Sequence, residues 1–210
     1  EEGTVGYALM KNFKEIGFEG KIYPVNIRKT EILGIKAYPA IEQIPDSIDL
    51  AVIATPARTV PDIVEQCGKA GIKGIVIISA GFKEIGAQGK ALEEKIIELK
   101  RKYNLRIIGP NCLGIIRPNI SLNATFANKM PKPGNIAFIS QSGALGTAIL
   151  DWATHENIGF SNFVSIGSMI DVDFGDLIDY FGTDSKTRSI LMYIEGLTDA
   201  RKFMSAARHF

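Results

Sequence analysis

The stretch GNIAFISQSGALGTAILDW (Gly134–Trp152) decides the fold. Ile136 to Ser140 is a short apolar run of strand length. Gly143 to Glu156 carries helical periodicity, and Gln141-Ser142 forms the turn between them. Strand, tight polar turn, helix is the repeating unit of an α/β protein. Working outward in both directions, the unit recurs. Phe163 to Ile166 reads as a strand and Asp176 to Phe181 as a helix. Ile190 to Ile194 reads as a strand, with a helix from Asp199 onward. Toward the N-terminus, Arg106–Ile108, Gly74–Ser79 (GIVIIS) and Asp49–Ala54 (DLAVIA) read as strands. The last two are near-continuous Val/Ile runs, as in parallel strands covered on both faces. Helices are expected from Thr59 or Pro61 to about Gly71 and from Lys90 to Tyr103. Lys21–Val25 (KIYPV) is expected as a further strand. Tyr7 to Ile16 is expected as a helix with Leu9, Phe13 and Ile16 on one face and Gly17 as its stop. Such alternation calls for parallel sheets with right-handed crossovers.

Composition agrees. The 210 residues are 46% hydrophobic and 22% charged, which is ordinary globular composition. At about 150 residues per domain, this is one large domain or two small ones. Asn128–Asn135 (NKMPKPGN) is polar, basic and proline-rich, so a domain boundary is expected there. Lys+Arg is 24 and Asp+Glu is 23, a balance that excludes a polyanion-binding surface and leaves only local basic patches. No aromatic-plus-basic stripe suggests nucleic acid. No apolar run reaches the ~20 residues of a membrane helix. Two cysteines, Cys67 and Cys112, are too few for a disulfide framework and fit a reducing cytosol. No Cys/His cluster has metal-ligand spacing. The chain begins at Glu1 and reaches Gly3-Thr4-Val5-Gly6 at once. A doubly wound nucleotide-binding half places a strand before such a turn, so that strand is expected upstream.

Ligands in open α/β sheets bind at the carboxyl ends of the strands. Small or polar residues follow every predicted strand here: Asn26, Thr55-Pro56, Ser79-Ala80-Gly81-Phe82, Gly109–Gly114, Ser140–Gly143, Gly167 and Glu195. Gly3–Gly6 leads into a helix whose N–H groups suit a phosphate, or else is simply a tight turn. Where NAD sites carry an acid, this chain has Asn26 followed by Arg28 and Lys29. That pair suits a phosphorylated ribose, as in NADP or coenzyme A, or is a solvated basic loop. Ser140-Gln141-Ser142-Gly143 is a phosphate or carboxylate seat, or a helix cap. The Lys of a Walker A loop is lacking, which argues against a P-loop NTPase. Cys112 has no strand-end His to activate it, so packing beside a ligand is favoured over nucleophilic attack. Cys67 shares a helix face with Ile63 and Val64 and is assigned to the core. His155 is assigned to the surface. Glu195, at the end of an apolar strand, is a functional carboxylate or a loop cap.

These motifs together resemble the α part of ADP-forming acyl-CoA synthetases (acetate–CoA ligases), relatives of succinyl-CoA synthetase. The resemblance rests on KIYPVN (21–26), DLAVIATPA (49–57), IISAGFKE (77–84), IIGPNCLGI (107–115), LNATFA (122–127), GNIAFISQSGALGTAILDW (134–152) and YIEG (193–196). GPNCLG and SQSGALG are the specific ones. The resemblance implies a Rossmann-like CoA-binding domain over residues 1–127, lacking its first strand. A flavodoxin-like parallel-sheet ligase domain follows over 128–210, incomplete at its C-terminus. It implies a coenzyme A site at Gly3, Gly6, Asn26, Lys29, Pro56, Ser79, Gly81, Phe82, Asn111 and Cys112, with Lys29 on a CoA phosphate. It implies that Ser140, Gln141, Ser142 and Gly143 hold the transferred phosphate and that Glu195 stabilises a catalytic phosphohistidine.

The implied reaction converts acyl-CoA, ADP and phosphate to acid, ATP and CoA. ATP/ADP and Mg2+ belong in that picture to an ATP-grasp β partner, in an oligomeric cytoplasmic enzyme. Three departures stand out. No Ser-His-Thr-Gly stretch surrounds either histidine, Ile27 stands where a proline is expected, and Ser168-Met169 stands where Asn-Lys is expected. A second reading is a non-catalytic CoA- or acyl-CoA-sensing module, as fused to bacterial lysine acetyltransferases. A third, an NAD(P) oxidoreductase, lacks a strand-end acid/base.

Overall fold

A computed structural model describes residues 2–210. Helix α1 (Val5–Ile16) starts at Thr4, whose hydroxyl accepts the Tyr7 N–H at 3.3 Å, and stops at Gly17 in the left-handed region (φ 81°). A two-residue hairpin follows, β1 (Glu31–Ile32) with β2 (Ile35–Lys36). The alternating unit then runs through β3 (Leu50–Ile53), α2 (Val60–Lys69), β4 (Gly74–Ile77), α3 (Ala87–Tyr103) and β5 (Arg106–Ile108). These strands form a parallel sheet in the order β3-β4-β5. Val60, Val64 and Cys67 of α2 and Ile96 of α3 cover one face against Ile75, Ile77 and Ile107. Leu9 of α1 covers the other face against Val76, Ile78 and Cys112. Burial on both faces explains the unbroken Val/Ile runs.

Residues Lys21–Val25, expected as a strand, do not form one. Val25 makes a single parallel bridge to Tyr38. A strand needs a ladder on at least one side, and among the described residues β3 pairs only with β4. The segment is instead pinned through side chains: the Tyr23 hydroxyl and the Lys21 ammonium both donate to Asp46.

The second sheet has the order β10-β8-β9-β6-β7. Its parallel strands are β8 (Pro133–Ser140), β9 (Phe160–Ser165) and β10 (Ser189–Tyr193), linked by α4 (Gly143–His155) and α5 (Phe174–Thr183). Helix α6 (Ala200–His209) follows. Phe138, Phe160 and Phe163 pack with Leu150 of α4 on one face. Ala137, Ile139 and Val164 pack with Phe174, Leu177 and Phe181 of α5 on the other.

Unexpected from the sequence are β6 (Gly114–Arg117) and β7 (Leu122–Thr125), an antiparallel hairpin that pairs through β6 with β9. The hairpin precedes residue 128 yet belongs to the second sheet, so that sheet is mixed. Their sequences, GIIR and LNAT, are not unbroken apolar runs. The hairpin also anchors α1: buried Asn12 donates to the carbonyls of Thr125 and Ala127, each at 2.8 Å.

An ionic network joins the two sheets. Asp171, with its side chain 6% exposed, accepts from Lys100 at 2.7 Å and from Arg106 Nε at 3.2 Å. It also accepts from the Ile107 N–H at 2.8 Å. Arg106 extends to Asp176 at 3.1 Å, and Lys202 reaches Asp173 and Asp176 at 3.0 and 2.6 Å. Burial pushes the Asp176 carboxyl up. Hydrogen bonds from Lys202, the Asp173 N–H and Arg106 outweigh this and hold it below its ordinary value of 3.8. A carboxyl lowered on folding stabilises the fold fully above its ordinary value, and that stability is lost as pH falls through the folded value. Asp176→Asn is therefore expected to lower unfolding stability by roughly 1–3 kcal/mol at pH 7. Urea titrations at descending pH should show the wild-type advantage shrinking below about pH 4. An advantage that grows with acid would contradict the assignment.

Candidate active site

Within each sheet the parallel strands end on one rim, and the predicted residues fall in two groups. In the first group, Gly3 turns with φ +85° and α1 presents its N-terminus. Asn26 folds its side chain locally: Oδ1 accepts the Arg28 and Lys29 N–H groups at 2.9 and 3.0 Å. This turn presents the exposed Lys29 ammonium to solvent at the mouth of a cavity of about 1910 Å3. Gly6, Asn26, Lys29 and Pro56 line that cavity, together with Thr55 and Thr59. Leu9, Phe13, Leu50 and Val52 also line it.

Ser79 is buried and its Oγ accepts the Thr55 N–H at 3.1 Å, which ties two strand ends together. Gly81 turns with φ +105° and donates its N–H to Glu84 Oε1 at 2.6 Å. Burial raises the Glu84 carboxyl, but this bond and further backbone N–H groups bring it below its ordinary value. The Phe82 ring is fully buried in the first core, so only its backbone faces the rim.

The second group surrounds the loop after β5. Asn111 adopts the left-handed conformation (φ 56°), donates its N–H to the Ser79 carbonyl at 2.9 Å and leaves its side chain exposed. Cys112 points inward and donates to the Ile77 carbonyl at 3.2 Å. Burial pushes its thiol up to about 12, so it is no thiolate at neutral pH. This agrees with the packing role. Cys67, pushed to about 11 by burial, is likewise core.

Beyond this loop lies the N-terminus of α4. A Cβ on Gly143 would sit 3.8 Å from the Leu113 Cβ, and Leu113 shares a core with Leu150 of α4, so the helix start lies near the end of the loop. Ser142 caps the helix, accepting the Leu145 N–H at 3.3 Å. Ser140 is fully buried and donates its hydroxyl to the Ser142 carbonyl at 2.8 Å. Gln141 Oε1 accepts the N–H groups of Glu195 and Gly196 at 2.5 and 2.9 Å. Glu195 itself is exposed. The helix N-terminus supplies unpaired N–H groups and a positive dipole end, which suit an anion.

Several contributors escape sequence reasoning. Ser165 Oγ accepts the Leu113 N–H at 2.9 Å and fixes the loop from the neighbouring strand. Glu93 is buried in α3 with Oε1 unpartnered, and burial raises its carboxyl. Its place among the Lys and Glu residues of α3 reads as a solvated face. Ser168, in place of the expected asparagine, accepts from Lys83 Nζ through its carbonyl at 3.0 Å. Gly167 is the tightest point. It has φ +53°, and a Cβ there would lie 2.2 Å from the Pro110 carbonyl oxygen and 2.4 Å from that of Asn111.

Two family models match this arrangement. The CoA binding domain model matches residues 1–118, and the succinyl-CoA ligase like flavodoxin domain model matches residues 133–210. The chain belongs to the CoA binding domain family, whose model spans more than half of it, and its second part matches the succinyl-CoA ligase like flavodoxin domain. More particularly, it is similar to ADP-forming acetate–CoA ligases. It is 49% identical over 210 residues to the acetate–CoA ligase [ADP-forming] I subunit alpha of Pyrococcus furiosus, spanning 98% of this chain and 46% of that one. It is 53% identical over 207 residues to the acetate–CoA ligase [ADP-forming] of Methanocaldococcus jannaschii, spanning 99% of this chain and 29% of that one.

Among solved structures, it matches the dinucleotide-forming acetyl-coenzyme A synthetase 1 of Ca. Korarchaeum cryptofilum, crystallised with phosphate and ADP. The TM-score is 0.95 at 41% identity, covering 100% of this chain and 45% of that one. The chain therefore spans less than half the length of these relatives. Among the described residues, no helix is long and apolar enough to cross a membrane.

Gly167→Ala should strain the backbone and drive the two carbonyls apart. A loss of roughly 2–4 kcal/mol in denaturant unfolding is expected. A fully stable Ala variant would show that the close approach is not required.

Proposed function

We propose that this chain is the CoA- and phosphate-handling part of an acid–CoA ligase that interconverts acyl-CoA, ADP and phosphate with acid, ATP and CoA. The observation that carries the reading is the nearness of Leu113, at the end of the loop 109–113, to the start of α4 at Gly143. It supports a strand-end loop for CoA beside a helix N-terminus suited to phosphate. Residues 1–127 are then the CoA-binding side and 128–210 the phosphate side, with the β6–β7 hairpin as a strut between them.

The chemistry follows from that arrangement. A phosphate oxygen attacks the thioester carbonyl, the C–S bond breaks and CoA leaves as thiolate. The acyl phosphate formed passes its phosphoryl group to a histidine nitrogen and releases the carboxylate. The histidine lies on a part of the full-length protein outside these 210 residues, since neither His155 nor His209 sits on the rim. An ATP-grasp partner holding ADP and Mg2+ completes the transfer. The α4 N-terminus offsets charge on the phosphoryl oxygens, as preorganised dipoles do. Glu195 orients the imidazole and raises its basicity. Lys29 and the Gly3–Gly6 turn face the phosphates of CoA, with Asn26, Pro56, Ser79, Gly81, Asn111 and backbone beside Phe82 and Cys112 completing the wall. The substrates are small carboxylic acids and their acyl-CoA esters.

Calorimetry and rapid-quench labelling of the full-length protein test this reading. CoA is expected to bind at one site per chain. Glu195→Gln is expected to leave CoA affinity within about twofold while slowing phosphohistidine formation at least about tenfold, a barrier change of ~1.4 kcal/mol. Absence of CoA binding, or equal loss of both properties, refutes it.

A further inference from the structure

The sequence pattern groups Gln141 with the phosphate ligands, but its side chain is committed to something else. Its amide oxygen accepts two backbone N–H groups, those of Glu195 and Gly196, at 2.5 and 2.9 Å. Both partners are donors, so the oxygen and not the nitrogen must face them. Its own N–H donates to the Tyr193 carbonyl at 3.2 Å. The register explains the reach. Ser140 pairs with Tyr193 at the last rung between β8 and β10, so residue 141 and residues 194–196 leave adjacent strands side by side. Among the described residues β10 pairs with β8. Gln141 makes three of the bonds that hold the loop that carries Glu195. Gln141 stands on a firm base, because Ser140 is bonded to the Ser142 carbonyl and Ser142 caps α4.

We infer that Gln141 is a positioning residue: its amide oxygen fixes the backbone of Glu195 and so aims that carboxylate at the phosphoryl-accepting imidazole. The inference rests on the role proposed above for Glu195. A glutamine whose oxygen is so engaged contributes to phosphate at most through its NH2 group. Its loss should therefore be felt in the rate of phosphoryl transfer and not in phosphate affinity.

The test uses the full-length enzyme with two variants. Gln141→Leu keeps the volume and removes the acceptor. Gln141→Glu keeps the acceptor. Hydrogen–deuterium exchange reads the amides of Glu195 and Gly196 directly. In Gln141→Leu these amides should exchange about tenfold faster, and in Gln141→Glu they should stay protected. Phosphohistidine formation in Gln141→Leu should fall about tenfold with the phosphate KM within twofold. In the Glu195→Gln background the same change should cost nothing further, because both substitutions disable one device.

Unchanged exchange in Gln141→Leu overturns the inference. So does a raised phosphate KM with unchanged rate, or a loss that multiplies with that of Glu195→Gln. If Gln141→Leu does not fold, Gln141→Glu decides alone, and lost protection there overturns the inference. Absence of phosphohistidine in the wild type would sink the functional reading, while the exchange comparison would still decide whether Gln141 holds the loop.

Discussion

The structure depends on one close approach, that of the 107–111 backbone to the 167–172 backbone. Ser168, Ile170 and Val172 donate their N–H groups to the carbonyls of Pro110, Gly109 and Ile107 at 2.9, 3.3 and 3.1 Å. Gly167 lets the two backbones come this near. These bonds satisfy polar groups that would otherwise be buried without partners between two apolar cores. They also fix the relation of the sheets, because one segment leaves β5 of the first and the other leaves β9 of the second. Asp171 reinforces the same seam from below, on the Ile107 N–H and two cations.

The site follows from that seam. Parallel strands put their carboxyl ends on one rim of each sheet, and the seam joins the segment after β5 to the segment after β9. The loop after β5 thereby lies near the start of α4 without any dedicated linker. The chain's near-zero net charge fits this design. In the proposed site, anions are met by helix N-termini, backbone N–H groups and a few side chains such as Lys29, and not by a basic surface.

Much of this was legible in the sequence, for physical reasons that differ by element. DLAVIA and GIVIIS announce strands because burial on both faces demands unbroken apolar runs. α4 is legible because Ser142 is a good N-cap and helical periodicity follows it. Lys21–Val25 carries the apolar pattern of a strand but meets no ladder among the described residues, where it lines the same cavity as β3. The β6–β7 hairpin is invisible because GIIR and LNAT are not unbroken apolar runs like those of β3 and β4, and its membership of the second sheet is a long-range fact. At the site, residue type identified the rim but not each side chain's allegiance. Ser140, Phe82 and Cys112 turn inward, and Gln141 turns to the neighbouring loop. A sequence shows that a polar residue follows a strand, while the register of the adjacent strand decides what it bonds. Gly167 carried a signal as a strand-end glycine, but only the opposing carbonyls show why no other residue fits.

The central claim is that one crevice holds both CoA and phosphate across the seam. A crystal structure of the full-length protein with CoA and inorganic phosphate tests it most directly. The account predicts CoA along the carboxyl ends of β3, β4 and β5 with its thiol end beside residues 109–113, and phosphate at the N-terminus of α4. CoA bound away from this rim, or phosphate seated at a site separated from the 109–113 loop, would contradict it.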